Sequence, residues 1–75
     1  MKVGAIEFDT VEYDRGGDVL YLHVGDPSSA VKFDETPEGH HVRFDASGQV
    51  VGLTVVRPKH LLATEGEIKL TIPTA

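Results

Sequence analysis

The chain has 75 residues, of which 40% are hydrophobic and 25% charged, and its formal net charge is −5. That size bounds it to a single domain over residues 1–75, and the mixture is that of a globular chain rather than a disordered tail. The acidic balance argues against non-specific binding to nucleic acid or to an anionic membrane, and the absence of cysteine removes disulfides, thiolate catalysis and cysteine-based metal sites.

Short runs of Val, Ile, Leu, Tyr and Phe alternate with turn clusters, which predicts strands over residues 6–13, 18–24, 30–33, 40–45, 49–57 and 67–72. In the first, Ile6 and Phe8 are in phase but Val11 and Tyr13 are one residue out of step, so a bulge or break is expected at Asp9-Thr10. In the second, Leu20, Leu22 and Val24 share one face and Val19, Tyr21 and His23 the other. In the fifth, Val51, Leu53 and Val55 oppose Val50, Gly52, Thr54 and Val56. One helix candidate follows, near 58–64, with Pro58 in its first turn and Gly66 just past its end. An irregular loop with Leu61 and Leu62 turned inward is the other reading. The final run alternates, with Ile68, Leu70 and Ile72 inward. The expected fold is mostly β, a small antiparallel β-meander of five or six strands built from two similar hairpins, with at most one short helix.

The longest apolar stretch, residues 50–56, is interrupted by Gly52 and Thr54 and falls far short of the roughly 20 residues of a membrane span. The first residues lead into acidic Glu7 and Asp9, not into the apolar segment of a secretory signal. A cytoplasmic protein without membrane contact is expected.

Residues 11–24 align without gaps on residues 42–55, an offset of 31, with identities at Val11/Val42, Asp14/Asp45, Gly17/Gly48, Val19/Val50, Leu22/Leu53 and Val24/Val55. Each copy reads as a hairpin whose turn opens on Asp and places Gly three residues later, where positive φ is free of steric cost. Equivalent hairpins would be related by a pseudo-two-fold axis. Val19, Tyr21, Val50 and Val56 fall on the face opposite Leu20, Leu22, Val51 and Leu53. A half-solvated antiparallel sheet carries polar residues there. That face is therefore expected to meet the C-terminal segment in part and a second copy of the chain in part. The counterpart of Tyr21 is Gly52, and the Tyr21 ring is expected to cover that bare strand position, within one chain or across a dimer.

The pieces Tyr13-Asp14, Asp18 to Leu22, Gly39 with Val42 to Asp45, and Gly48 to Leu53 together resemble DUF2283, a family of small prokaryotic proteins of unknown function. The likeness covers about residues 11–57. Thr54 stands where the family commonly has an acidic residue, and His40-His41 where apolar or small residues are usual. The resemblance implies a small β-rich domain and no established activity. Toxin-like neighbours of some members would imply an antitoxin-type partner.

Residues 1–38 hold nine acids and three bases, and residues 39–75 three acids and four bases. The acidic half could dock a basic protein partner, or simply fill turns and solvent faces. Asp14, Asp18 and Asp45 lack the alternation of a calcium loop and read as turn caps. Of His23, His40, His41 and His60, the neighbours His40 and His41 point to opposite faces of a strand, so a shared metal ion would need a bulge. Nothing in the spacing gives any of the four a role. No nucleophile motif or phosphate loop is present, and Tyr21, Arg43 and Phe44 lack the basic groove of a single-strand nucleic-acid binder. The sequence thus assigns no catalytic, metal or cofactor residue and implies no cofactor. It leads to a homodimeric, non-enzymatic interaction module. The alternative is a small-ligand binder or minimal enzyme that uses Asp14, Asp45 or the histidines at a subunit interface.

Overall fold

A computed structural model describes residues 1–73. A two-stranded sheet joins β1 (Lys2–Val3) and β2 (Ile6–Glu7). A five-stranded antiparallel sheet holds β3 (Thr10–Asp14), β4 (Val19–His23), β5 (Lys32–Glu35), β6 (His41–Phe44) and β7 (Val50–Val56), in the order β3-β4-β7-β6-β5. One helix, α1 (Pro58–Glu65), follows. The mostly β class and the short helix near 58–64 are as the sequence leads one to expect. After β4 the chain passes through a 3-10 turn at Pro27–Ser29 to the far edge, then returns through β6 so that β7 lands beside β4.

The predicted break in the first strand lies between β2 and β3, where Phe8 turns into the core at 1% exposure. The N–H of Asp9 donates to the carbonyl of His23, and the Asp9 carboxylate accepts from the N–H of Gly25. The strand predicted over 30–33 starts two residues later, at Lys32. Residues 67–72 form no ladder and are not a strand, which corrects that expectation. Their alternation survives as packing, with Ile68, Leu70 and Ile72 against the core.

The repeat is visible in the register. Val11 pairs with Leu22, as Val42 pairs with Leu53, and Leu22 and Leu53 face each other across β4 and β7. A pseudo-two-fold axis normal to the sheet therefore passes between these two leucines, both fully buried. The copies part at their turns. Gly48 takes φ 84° as its sequence suggests, whereas in the first hairpin Asp18, not Gly17, enters the left-handed region at φ 53°. In the second hairpin the pairing shifts between Arg43↔Gly52 and Phe44↔Val50, so two residues oppose one. This bulge brings Val50 across from Phe44 and against the core. Val50 thus does not belong to the outer face where simple alternation puts it.

The core is Phe8, Leu22, Val42, Phe44, Leu53 and Val55. Each such side chain contributes about 1.5–3 kcal/mol through its removal from water. Val3 and Ile6 from one end of the described chain and Ile68, Leu70 and Ile72 from the other pack against it. The backbone N–H and hydroxyl of Thr71 donate to the Glu38 carboxylate at 3.0 and 2.6 Å, which fastens the C-terminal segment to the β5–β6 turn. One face of the large sheet is covered in this way by the chain itself, apart from Val11 and Tyr13 on the edge strand β3, which stay exposed. Among the described residues no helix is long and apolar enough to cross a membrane.

Candidate functional site

The other face of the sheet presents two cross-strand rows. Glu12, Tyr21, Thr54, His41 and Glu35 stand side by side across β3, β4, β7, β6 and β5, and so do Thr10, His23, Gly52, Arg43 and Phe33. Val19 pairs with Val56 one step below the first row. Val19, Tyr21 and Val56 are half-buried by their sheet neighbours and stay outside the core cluster, and Phe33 is 70% exposed. The pseudo-two-fold relates Glu12 to Arg43, Tyr21 to Gly52, His23 to Thr54 and Thr10 to His41. Sites that are equivalent in position thus carry opposite charge at one pair and opposite bulk at another.

Gly52 is covered, but not by Tyr21. Arg43 stands directly across from it, and a Cβ at Gly52 would lie 2.5 Å from Arg43 Nε and 3.0 Å from Nη2. Tyr21 pairs instead with Thr54, because the register sets His23 against Gly52. The bare position makes room for a guanidinium lying low on the sheet. Arg43 Nη2 is buried with no hydrogen-bond partner.

The turn acids hold backbone in place. Asp14 accepts from the N–H of Gly16. Asp45 accepts from the N–H groups of Ser47 and Gln49 and from the Ser47 hydroxyl. The Ser47 hydroxyl is the main cause holding the Asp45 carboxyl below its ordinary range. Asp18 reaches further. Its carboxylate accepts from the Tyr13 hydroxyl at 2.7 Å and from the N–H groups of Lys59 and His60 at 3.1 Å each. Arg57, at the start of α1, is left-handed and supplies no side-chain cap. The first hairpin turn therefore caps a helix some 40 residues later in the chain, at backbone donors a helix leaves unpaired. Desolvation opposes ionisation of Asp18, but these donors outweigh it and its carboxyl is held below the usual range.

His40 is the histidine set apart, at 2% exposure. Its Nδ1 accepts from the N–H of Val56, its own N–H donates to Thr36 Oγ1, and its carbonyl accepts from the Thr36 N–H. With Nδ1 an acceptor, the neutral ring carries its proton on Nε2, and Nε2 is buried without a partner. Burial disfavours the charged ring and pushes its pKa down, against a smaller opposing pull from Glu38. His40 borders a cleft of about 250 Å³, lined also by Glu38, Leu61, Glu65, Glu67 and Lys69. Sequence spacing gave no sign of this, since the burial comes from Thr36 and β7.

His41 and His60 are exposed, and His23 lies in the second row of the outer face. Among the described residues, no three His, Asp or Glu side chains stand close enough to hold a metal ion. Asp14 and Asp45 remain at their turns, and only His40 of the sequence candidates reaches the cleft.

No curated protein and no solved structure matches the chain. A family model described as a protein of unknown function covers residues 10–57, which is the span from the start of β3 to the residue after β7. It takes in both hairpins, the Leu22–Leu53 centre and both rows of the outer face. The chain belongs to the DUF2283 family.

Proposed function

We propose that this protein is a non-enzymatic interaction module of a prokaryotic cytoplasm, that it works as a homodimer joined through the outer face of its sheet, and that its acidic residues 1–38 meet a basic protein partner, as an antitoxin-type protein would. The observation that carries the reading is the inequality of the two faces. One is covered by the chain's own segments over β4, β7 and β6, with Val11 and Tyr13 of the edge strand β3 left exposed, while the other carries Val19, Tyr21, Val56 and Phe33 outside the core. A small domain without disulfides gains stability by burying such a surface against a second copy. Sedimentation equilibrium tests it. The wild type is expected to sediment as a dimer and Tyr21→Glu as a folded monomer. An equal mass for both at high micromolar concentration would remove the outer face as the interface.

A second reading, a small-ligand binder, draws on the His40 cleft, where a buried imidazole N–H lacks an acceptor. The volume of about 250 Å³ lies just below the range of roughly 300–1,000 Å³ typical of ligand pockets. Thermal-shift screening of wild type against His40→Gln separates this reading. Ligands that stabilise only the wild type favour it.

A further inference from the structure

We infer that two copies close face to face about a two-fold axis lying between their sheets, with Arg43 of each copy paired to the partner's Glu12; this pairing rests on the self-association proposed above. Three observations converge on it.

The first is positional. Glu12 and Arg43 are equivalent under the internal pseudo-two-fold, so they stand on opposite sides of the Leu22–Leu53 centre on the same face. A two-fold axis in the plane between two facing sheets, set perpendicular to the line joining these residues, exchanges their positions between copies. One operation then forms two identical ion pairs, the self-complementary arrangement a two-fold interface requires.

The second is chemical. The ion pairs among the described residues are Met1 with Glu7 and Lys69 with Glu67, and neither involves Arg43. Its guanidinium rests on Gly52, and Nη2 is already buried there within the single chain. A planar fork of donors in that state matches a carboxylate. Glu12 of the same chain cannot supply it. It lies three strand spacings away, about 14 Å across the sheet.

The third is shape. The same rotation turns Tyr21 of one copy toward the partner's β7, where the Arg43 guanidinium lies low over Gly52. Tyr21 stands on the strands between the two ion pairs, whereas Phe33 stands outside Arg43 on β5 and Val19 and Val56 one step beyond the first row.

Charge reversal tests the pairing. Arg43→Glu sets two pairs of carboxylates against each other, and Glu12→Arg sets two pairs of guanidinium groups. Each variant alone is expected to weaken dimerisation by about tenfold or more. An equimolar mixture of the two is expected to form a heterodimer. At one end the carboxylate introduced by Arg43→Glu then meets the guanidinium introduced by Glu12→Arg, and at the other the unaltered Glu12 and Arg43 meet. Glu12→Arg changes only an exposed edge position, so it remains informative if Arg43→Glu disturbs the packing over Gly52. Circular dichroism checks that each variant is folded. A wild-type dimer unmoved by Glu12→Arg, or two folded variants that stay monomeric when mixed, would overturn the pairing and leave the self-association standing. A monomeric wild type would overturn both.

Discussion

The two hairpins share six identities and the same Val–Leu pairing, yet they live in different surroundings. Every residue of β3 is exposed, while Val42 and Phe44 of β6 are buried. The first hairpin forms one edge of the sheet, and the second is flanked by β4 on one side and β5 on the other. Their turns diverge accordingly. The first gives its left-handed position to Asp18, whose carboxylate is then free to cap α1. The second uses Gly48 and a bulge that drives Val50 into the core. A repeated pattern of apolar residues thus sets the register at the centre, and the residues between the repeats decide what each copy does.

The largest expected effect falls at the axis where the copies meet. Leu22→Ala and Leu53→Ala each remove a fully buried side chain and should each cost about 2–5 kcal/mol. That is much of what a domain of this size has to lose. Near-equal shifts in urea midpoint would support the pseudo-symmetry, and a benign result at one leucine would break it.

Gly52 sharpens the contrast between the hairpins. A Cβ there collides with Arg43, so Gly52→Ala should cost about 1–3 kcal/mol. In an Arg43→Ala background the same substitution should cost far less, and a double-mutant cycle measures the difference. Equal costs in both backgrounds would mean that Arg43 is not what fills the gap.

The turns come next. Gly48→Ala forces a side chain into positive φ and should cost about 1 kcal/mol. Gly17→Ala should cost less, because Gly17 lacks positive φ and its new Cβ crowds the end of the exposed Asp14 side chain while meeting Val19 at ordinary contact distance. Thermal unfolding of the two variants would reveal the order.

The smallest effect is in the pH profile. His40 is held neutral by burial. Its contribution is complete above the ordinary imidazole pKa of about 6.5 and declines as pH falls below it, because the unfolded chain takes up the proton first. Glu38, held down chiefly by the Thr71 hydroxyl, and Asp45, held down chiefly by the Ser47 hydroxyl, act likewise in the carboxylate range. Their contributions are present above that range and are lost as pH falls through it. His40→Gln should abolish the first decline and keep the second. Urea midpoints measured from about pH 7.5 down to about pH 3 would resolve the two.

Much of this was legible in the residues. The break at Asp9-Thr10, the short helix opened by Pro58 and closed by Gly66 just past its end, the capping role of the turn aspartates and the strands around the repeat follow from local chemistry. The misplacements share a cause, since alternation reports which side chains share a face but not which backbone lies alongside. Residues 67–72 alternate and bury Ile68, Leu70 and Ile72, yet pair with no strand. β5 is a polar, fully exposed edge whose position is set by pairing to β6, so its apolar residues pointed two positions too early. Within one chain the Tyr21–Gly52 expectation fails, because the strand register places Arg43 and His23 across from Gly52. The burial of His40 is made by Thr36 and Val56, contacts that exist only once the sheet has formed.

The central claim is that the outer face is half of an interface. Sedimentation equilibrium of the wild-type protein from about 10 μM to about 1 mM, a range wide enough for an interface of modest size, tests it most directly. The account predicts twice the 8.1 kDa chain mass across the upper part of that range, reduced by Glu12→Arg. A single-chain mass at every concentration would contradict it.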